Sequence, residues 1–208
     1  SDADFRISVK REGTASSYLH DQLSVGDLLE ARAPEGGFVV NAAERRPLVL
    51  ISAGVGITPM LAMLHHVVYE GLRTRRMRRT WFLHSAHTAA ERPFDTELAA
   101  LGKLGNGAIQ VIRTLSQPES SAVKGVDYDY QGRLSADLLQ AVLPFGDFDF
   151  YLCGPGAFTQ DLYDGLRALR VPDDRLHAEA FGPSTLRRSS DPGQAAMVPT
   201  LPPPSPDP

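Results

Sequence analysis

Gly54-Val55-Gly56-Ile57-Thr58-Pro59 is where the residue types and spacing of this sequence point most directly to chemistry. Glycine tolerates positive φ and lets a backbone approach a ligand closely. The hexapeptide follows the apolar run Leu48-Val49-Leu50-Ile51 and leads into Met60, Leu61, Met63, Leu64, Val67 and Val68, which recur at helical spacing. A helix starting here presents unpaired N–H groups and the positive end of its dipole, both suited to a phosphate. Thr58 adds a hydroxyl, and Pro59 fits the first helical position. The plain alternative is a strand-to-helix turn with no ligand. The strand context favours the ligand, because ligands bind at the carboxyl ends of such strands. The motif departs from the three-glycine dinucleotide fingerprint, since Pro59 stands where the third glycine belongs. The acid expected for a ribose hydroxyl is missing too: the next strand ends His84-Ser85-Ala86-His87, with no carboxylate before Glu91. With Ser85, Arg92 and Arg113 expected nearby, this leaves room for a 2′-phosphate and leans toward NADP.

A second constellation closes a later strand. Cys153-Gly154-Pro155 is expected at the same sheet edge as the glycine turn. An isolated cysteine is ordinarily a buried, inert one, but Gly154-Pro155 forms a rigid turn with close backbone access, which suits a planar ligand. Near the end stands Leu176-His177-Ala178-Glu179-Ala180-Phe181-Gly182-Pro183. There Phe181 is either core packing or a ring stacked on an aromatic cofactor, and Glu179 either a surface charge or a proton donor beside it.

The elements that must position these residues follow from the pattern of apolar positions. Strands are expected at Leu48–Ile51, Trp81–Leu83, Ile109–Ile112, Phe148–Leu152 and Leu176–Phe181. Helices are expected after the glycine turn, from Phe94 to Leu104, from a Ser135 cap through Val142, and from about Ala157 to Leu169. Strands alternating with helices imply an α/β domain with a five-stranded parallel sheet covered on both faces. Before it, Phe5–Lys10 alternates apolar and polar residues, Ala15–His20 opens a short helix with a serine cap, and Leu28–Ala33 and Phe38–Val40 read as further strands. This is too little for a domain and looks like the closing part of a small antiparallel barrel. The division expected is 1–45 barrel remnant, 46–184 α/β domain and 185–208 linker or tail. Seven of the 16 prolines lie in Pro192–Pro208, a composition that cannot offset ordering.

Composition narrows the partners. The chain has 208 residues and a formal net charge of -4, so no global basic field exists for nucleic acid. Cys153 is the only cysteine, which excludes a disulfide framework, a cysteine-rich zinc site and a four-cysteine iron–sulfur cluster within this sequence. A reducing, cytoplasmic compartment is expected. The stretch Pro47–Tyr69 carries no charged residue, yet Gly54, Gly56 and Pro59 punctuate it, so it reads as a buried strand, turn and helix rather than a membrane span. Serine at position 1 is read as the mark of a fragment or processed product. The run Arg73, Arg75, Arg76, Arg78 and Arg79 reads as a solvated helix end, with docking of an acidic electron-transfer partner as the alternative. His65 and His66 read as structural or surface residues, and Asp127–Tyr130 as loop.

Taken together, Gly54-Val55-Gly56-Ile57-Thr58-Pro59, Cys153-Gly154-Pro155 and Glu179-Ala180-Phe181-Gly182-Pro183 resemble the ferredoxin–NADP reductase superfamily. The start, Arg6–Glu12 followed by Ser16-Ser17-Tyr18-Leu19-His20-Asp21, looks most like the reductase part of flavohaemoglobins and also like flavin reductases fused to a ferredoxin domain. The resemblance implies an FAD-binding barrel and an NAD(P)H-binding α/β domain. It implies that Ser16 and Ser17 face the FAD pyrophosphate and that Gly54, Gly56 and Thr58 take the NAD(P)H pyrophosphate; Pro59, Ser85, Gly154 and Pro155 are further candidate cofactor-binding residues. Cys153 is implied beside the nicotinamide, where hydride passes from C4 to flavin N5, with Glu179 and Phe181 bordering the isoalloxazine. Electrons then pass to a haem, an iron–sulfur centre such as a 2Fe-2S ferredoxin domain once fused downstream, or another acceptor. The family's Arg-x-Tyr-Ser/Thr flavin strand is not in this sequence. The alternative expectation is therefore a nucleotide-binding fragment without catalysis.

Overall fold

The computed structural model describes residues 5–181 and 185–189. The Gly182-Pro183 pair and the Pro192–Pro208 tail lie outside the described residues. Strand β1 (Leu48–Ala53) runs through a short 3-10 turn into helix α2 (Ile57–Thr74). Then come β2 (Thr80–Ala86), α3 (Asp95–Leu104), β3 (Ile109–Leu115), β4 (Tyr130–Gln131), α4 (Ala136–Val142), β5 (Asp149–Pro155), α5 (Gly156–Ala168) and β6 (Leu176–Phe181). Helix α1 (Thr14–Asp21) precedes them. All pairings are parallel, in the order β4-β3-β2-β1-β5-β6.

The sheet has six strands, not five. The extra one is the two-residue edge strand β4, which starts at the last residue of the stretch Asp127–Tyr130 expected to be loop; two residues are too few to show a period of two. The strands expected at 5–10, 28–33 and 38–40 do not form, so no barrel remnant is seen among the described residues. Alternating side chains lack a pairing partner there, and a lone extended segment leaves its N–H and C=O groups to water. Within α1, Gly13 is the N-cap and the serine is one turn in. Ser16 Oγ accepts from the N–H groups of Glu12 (2.9 Å) and Gly13 (2.8 Å).

The continuous apolar runs are explained by burial on both faces. Leu48 and Leu50 join Phe82 and Tyr151 under α2 and α3, whereas Val49 and Ile51 join Trp81, Leu83 and Leu152 under α4 and α5. Pro47–Tyr69 thus divides into strand, turn and buried helix, and among the described residues no helix is long and apolar enough to cross a membrane.

The amino edge of the sheet is closed by ion pairs. Arg78 is only 5% exposed and donates to Asp149 Oδ2 (2.5 Å), to the carbonyl of Arg46 (2.7 Å) and to that of Asn41 (2.9 Å). Arg46 bridges Asp149 (2.8 Å) and Asp147 (3.0 Å), and Arg175 also meets Asp147 (2.7 Å). Arg78 therefore departs from the solvated reading of the arginine run: it precedes β2 and reaches under the sheet, while Arg73, Arg75 and Arg76 are exposed.

Candidate functional site

At the carboxyl edge the chain leaves β1 toward β2 and returns to β5 on the other side. The crevice between β1 and β5 is the switch point where ligands bind in open α/β sheets. Gly54 there has φ +54°, which a side chain would strain. Gly56 answers a different need. A Cβ on it would lie 2.1 Å from the Cys153 carbonyl oxygen and 2.7 Å from the Gly154 nitrogen. A Cβ on Gly154 would in turn lie 2.8 Å from the Phe158 ring and 3.3 Å from Ala53 Cβ. The two sequence motifs are thus one packed junction, and only glycine lets the start of α2 seat against the end of β5. Thr58 Oγ1 donates to the Val55 carbonyl (3.1 Å). The helix begins at Ile57, so Pro59 is its third residue, not its first; its missing N–H still falls within the first turn, where no intrahelical acceptor exists.

Two cavities flank this junction. The larger, about 710 Å³, holds Gly54, Thr58, Ser85 and Pro155, with Ser116 and Arg133 from the ends of β3 and β4. The smaller, about 670 Å³, holds Thr58, Pro59, Cys153, Glu179 and Phe181. Ser8, Thr58 and Phe94 line both. Most of the expected site residues therefore gather here. Ser16 and Ser17 do not: they line neither cavity, and the Ser16 hydroxyl is engaged by its own loop. Gly154, buried in the junction, lines neither cavity itself.

Sequence reading missed the segment 6–10 and Phe94. Arg6 pairs with Glu97 (2.9 Å), which also accepts from His65 Nε2 (2.5 Å), and the Arg6 guanidinium lies 5.7 Å from the Phe94 ring centre. Phe94 caps α3 with φ 68°, a conformation no local pattern announces.

Across the sheet, one register row at this edge is polar: Arg113, His84, Ser52, Cys153 and Glu179 are neighbours on successive strands. His84 is wholly buried, with Nδ1 2.9 Å from Ser52 Oγ and Nε2 without a partner. Burial lowers its pKa to about 4, aided by Arg92, so it stays neutral. Cys153 is 1% exposed, and burial, then the charge of Glu179, pushes its thiol up to about 12. It is therefore a protonated, soft wall and not a nucleophile. Glu179 is exposed, and Phe181, two residues on, is 47% exposed. Arg92 and Arg113, expected near a 2′-phosphate, are occupied: Arg92 by Asp95 (2.5 Å) and Arg113 by Asp129 (3.2 Å). Among the described residues no group of three metal-ligating side chains occurs.

Comparison with known proteins agrees with this fold. Residues 50–164 match the sequence model of the oxidoreductase NAD-binding domain. The flavohemoprotein of Deinococcus radiodurans is 40% identical over 183 residues, which cover 86% of this chain and 44% of that protein. The chain thus spans less than half the length of the curated relatives it matches. Among solved structures, the flavohem-like FAD/NAD binding domain of nitric oxide dioxygenase from Vibrio cholerae superposes with a TM-score of 0.70 at 36% identity, covering 84% of this chain and 70% of that one. The flavohemoglobin of Malassezia yamatoensis, solved with bound FAD and heme, superposes with a TM-score of 0.67 at 25% identity, covering 85% and 43%.

Proposed function

The chain belongs to the oxidoreductase NAD-binding domain family, within the ferredoxin–NADP reductase superfamily, and from that premise we propose that it is the pyridine-nucleotide half of an FAD-dependent NAD(P)H oxidoreductase. The observation that carries this reading is the glycine junction. It sets a helix N-terminus between two cavities at the switch point of the sheet.

In this reading the glycine turn and the N-terminus of α2 hold the NAD(P)H pyrophosphate in the positive field of the helix. The adenosine half extends into the larger cavity past Ser85, with Pro155 on the opposite wall. The nicotinamide enters the smaller cavity, where Pro59 and the protonated Cys153 form a dry, apolar floor that excludes water. Phe181 offers its exposed face to a flat ring, and Glu179 sets its carboxyl group at the cavity rim, where it can take up a proton from solvent and pass it on. When bound, flavin supplies the conversion of a hydride from nicotinamide C4, taken at N5, into single electrons for an iron–sulfur, haem or other acceptor. The smaller cavity fits the ring end of such a cofactor. The described residues hold no barrel for its remainder, and Ser16 and Ser17 stand outside both cavities. That observation favours a narrower second reading, a nucleotide-binding module without its own flavin. The division into 1–45, 46–184 and 185–208, a cytoplasmic setting for the single free thiol, and a 2Fe-2S or haem partner belong to the proposal.

An anaerobic absorbance titration with FAD, then NADH or NADPH, tests it. Flavin binding followed by bleaching of the visible band is expected of the working reductase. Nucleotide binding without flavin supports the narrower reading. A folded chain that binds neither overturns both.

A further inference from the structure

The three strand tips on one side of the switch point form a hydrogen-bonded step. The Ser116 N–H donates to the Ala86 carbonyl (3.0 Å), that of Gln117 to the His87 carbonyl (2.8 Å), and that of Gly132 to the Leu115 carbonyl (2.8 Å). Ser85, His87, Ser116 and Arg133 thereby stand along one wall of the larger cavity. His87 Nδ1 lies 3.0 Å from Ser116 Oγ, so the tips of β2 and β3 are joined by side chains as well.

The charges of this wall are unequal in availability. Lys10 also lines the cavity but is paired with Glu12. Arg92 and Arg113 are held by Asp95 and Asp129. Arg133 is exposed at the cavity rim, and none of the ion pairs or hydrogen bonds among the described residues engages it. The tip of β2, where a ribose passes when its pyrophosphate lies at β1, carries Ser85 and His87 and no carboxylate. The two carboxylates of the cavity, Glu91 and Asp161, come from the loop before α3 and from α5. An acid at that tip would accept from a ribose 2′-hydroxyl and repel a phosphate; hydroxyls with a free guanidinium do the reverse. Arg133 follows β4, two strand spacings or about 10 Å from β2. A ribose 2′-phosphate from one side and the long arginine side chain from the other close that span.

We infer that the larger cavity selects a 2′-phosphorylated nucleotide, NADPH over NADH, and that Arg133 is the specificity-determining residue that reads the 2′-phosphate. This rests on the nucleotide-binding reading given above. Its test is chosen to separate the two.

Binding of adenosine 2′,5′-bisphosphate and adenosine 5′-monophosphate to this chain is measured by calorimetry, with no flavin required. The bisphosphate is expected to bind about 10-fold or more tightly, as one charge-assisted contact permits, and to lose that advantage in high salt. Arg133→Ala brings the two affinities together, Arg133→Lys keeps part of the difference, and Arg113→Ala leaves it in place. Circular dichroism checks that each variant is folded. Equal affinities in the unaltered chain, or a ratio untouched by Arg133→Ala, overturn the inference and leave nucleotide binding standing. A folded chain that binds neither nucleotide overturns the nucleotide-binding reading itself.

Discussion

The two edges of the same sheet handle polar groups in opposite ways. At the amino edge, Arg78, Arg46 and Arg175 satisfy Asp149 and Asp147, and the Arg78 guanidinium is completed by two backbone carbonyls. At the carboxyl edge the buried His84 Nε2 and the exposed Glu179 and Arg133 have no hydrogen-bond or ion-pair partner among the described residues, and two cavities open beside them. The lesson is that buried charge in this fold is saturated where it stabilises, at the amino edge, whereas the charges left without partners are exposed and gather beside the cavities.

The largest effect is expected from breaking the closed edge. Asp149→Ala strands the buried Arg78 and should cost about 3–5 kcal/mol in urea denaturation. The nucleotide affinity of the protein that remains folded should not change. A loss below about 1 kcal/mol would show that Arg78 rehydrates easily and would erase the contrast between the edges.

Next comes pH at the open edge. His84 titrates near 4 in the folded chain and near its ordinary value when unfolded, so below that ordinary value the unfolded state binds the extra proton. Stability should therefore be complete above about pH 6.5, fall as pH drops toward 4, and lose on the order of 3 kcal/mol from this group alone. His84→Gln should flatten the part of the stability profile between about pH 6.5 and 4.5, above the range in which the paired carboxylates titrate. An unchanged slope in that variant would assign the acid sensitivity to another group.

The glycine pair separates packing from backbone strain. Gly56→Ala places a Cβ within 2.1 Å of the Cys153 carbonyl and should cost about 1–3 kcal/mol, lowering stability and nucleotide affinity together. Gly54→Ala meets nothing within 4 Å and pays only for its positive φ, about 1 kcal/mol. If thermal melts rank these two the other way, the junction is looser than its geometry. The smallest effect belongs to Glu97→Gln. Its partner Arg6 is 61% exposed on its side chain, and an exposed pair contributes about 1 kcal/mol or less. Limited proteolysis should cut the 6–10 segment faster in that variant, with little change in melting temperature.

Much of this was legible in the sequence because it is local. The apolar run Leu48–Ile51, the helical spacing of Met60 to Val68 and the Ser135 cap, whose Oγ accepts from the Leu138 N–H at 3.3 Å, each state their element within a few residues. The strands expected before residue 45 were not found, because alternation describes a side-chain pattern and a strand also needs a neighbour to bond. Arg78 was read with the exposed arginines around it, since one residue of a charged run carries no mark of which side of a turn it will face. The same limit applies at the site. Thr58, Cys153, Glu179 and Phe181, named from motif context, line one cavity, but Arg92 and Arg113 were placed near a phosphate without knowledge that Asp95 and Asp129 occupy them.

The sequence alone determined that this chain builds a parallel α/β layer with a glycine turn after its first strand, because periodicity and turn chemistry act over a few residues. Only the tertiary structure decided the order β4-β3-β2-β1-β5-β6, and with it every contact between distant segments. That order seats Gly56 on the backbone of Cys153 and Gly154, lines up Arg113, His84, Ser52, Cys153 and Glu179, and sets Arg133 at the larger cavity with Ser85, His87 and Ser116. The physical reason is that parallel strands are chosen by how their helices pack over both faces, a choice made by the whole core at once.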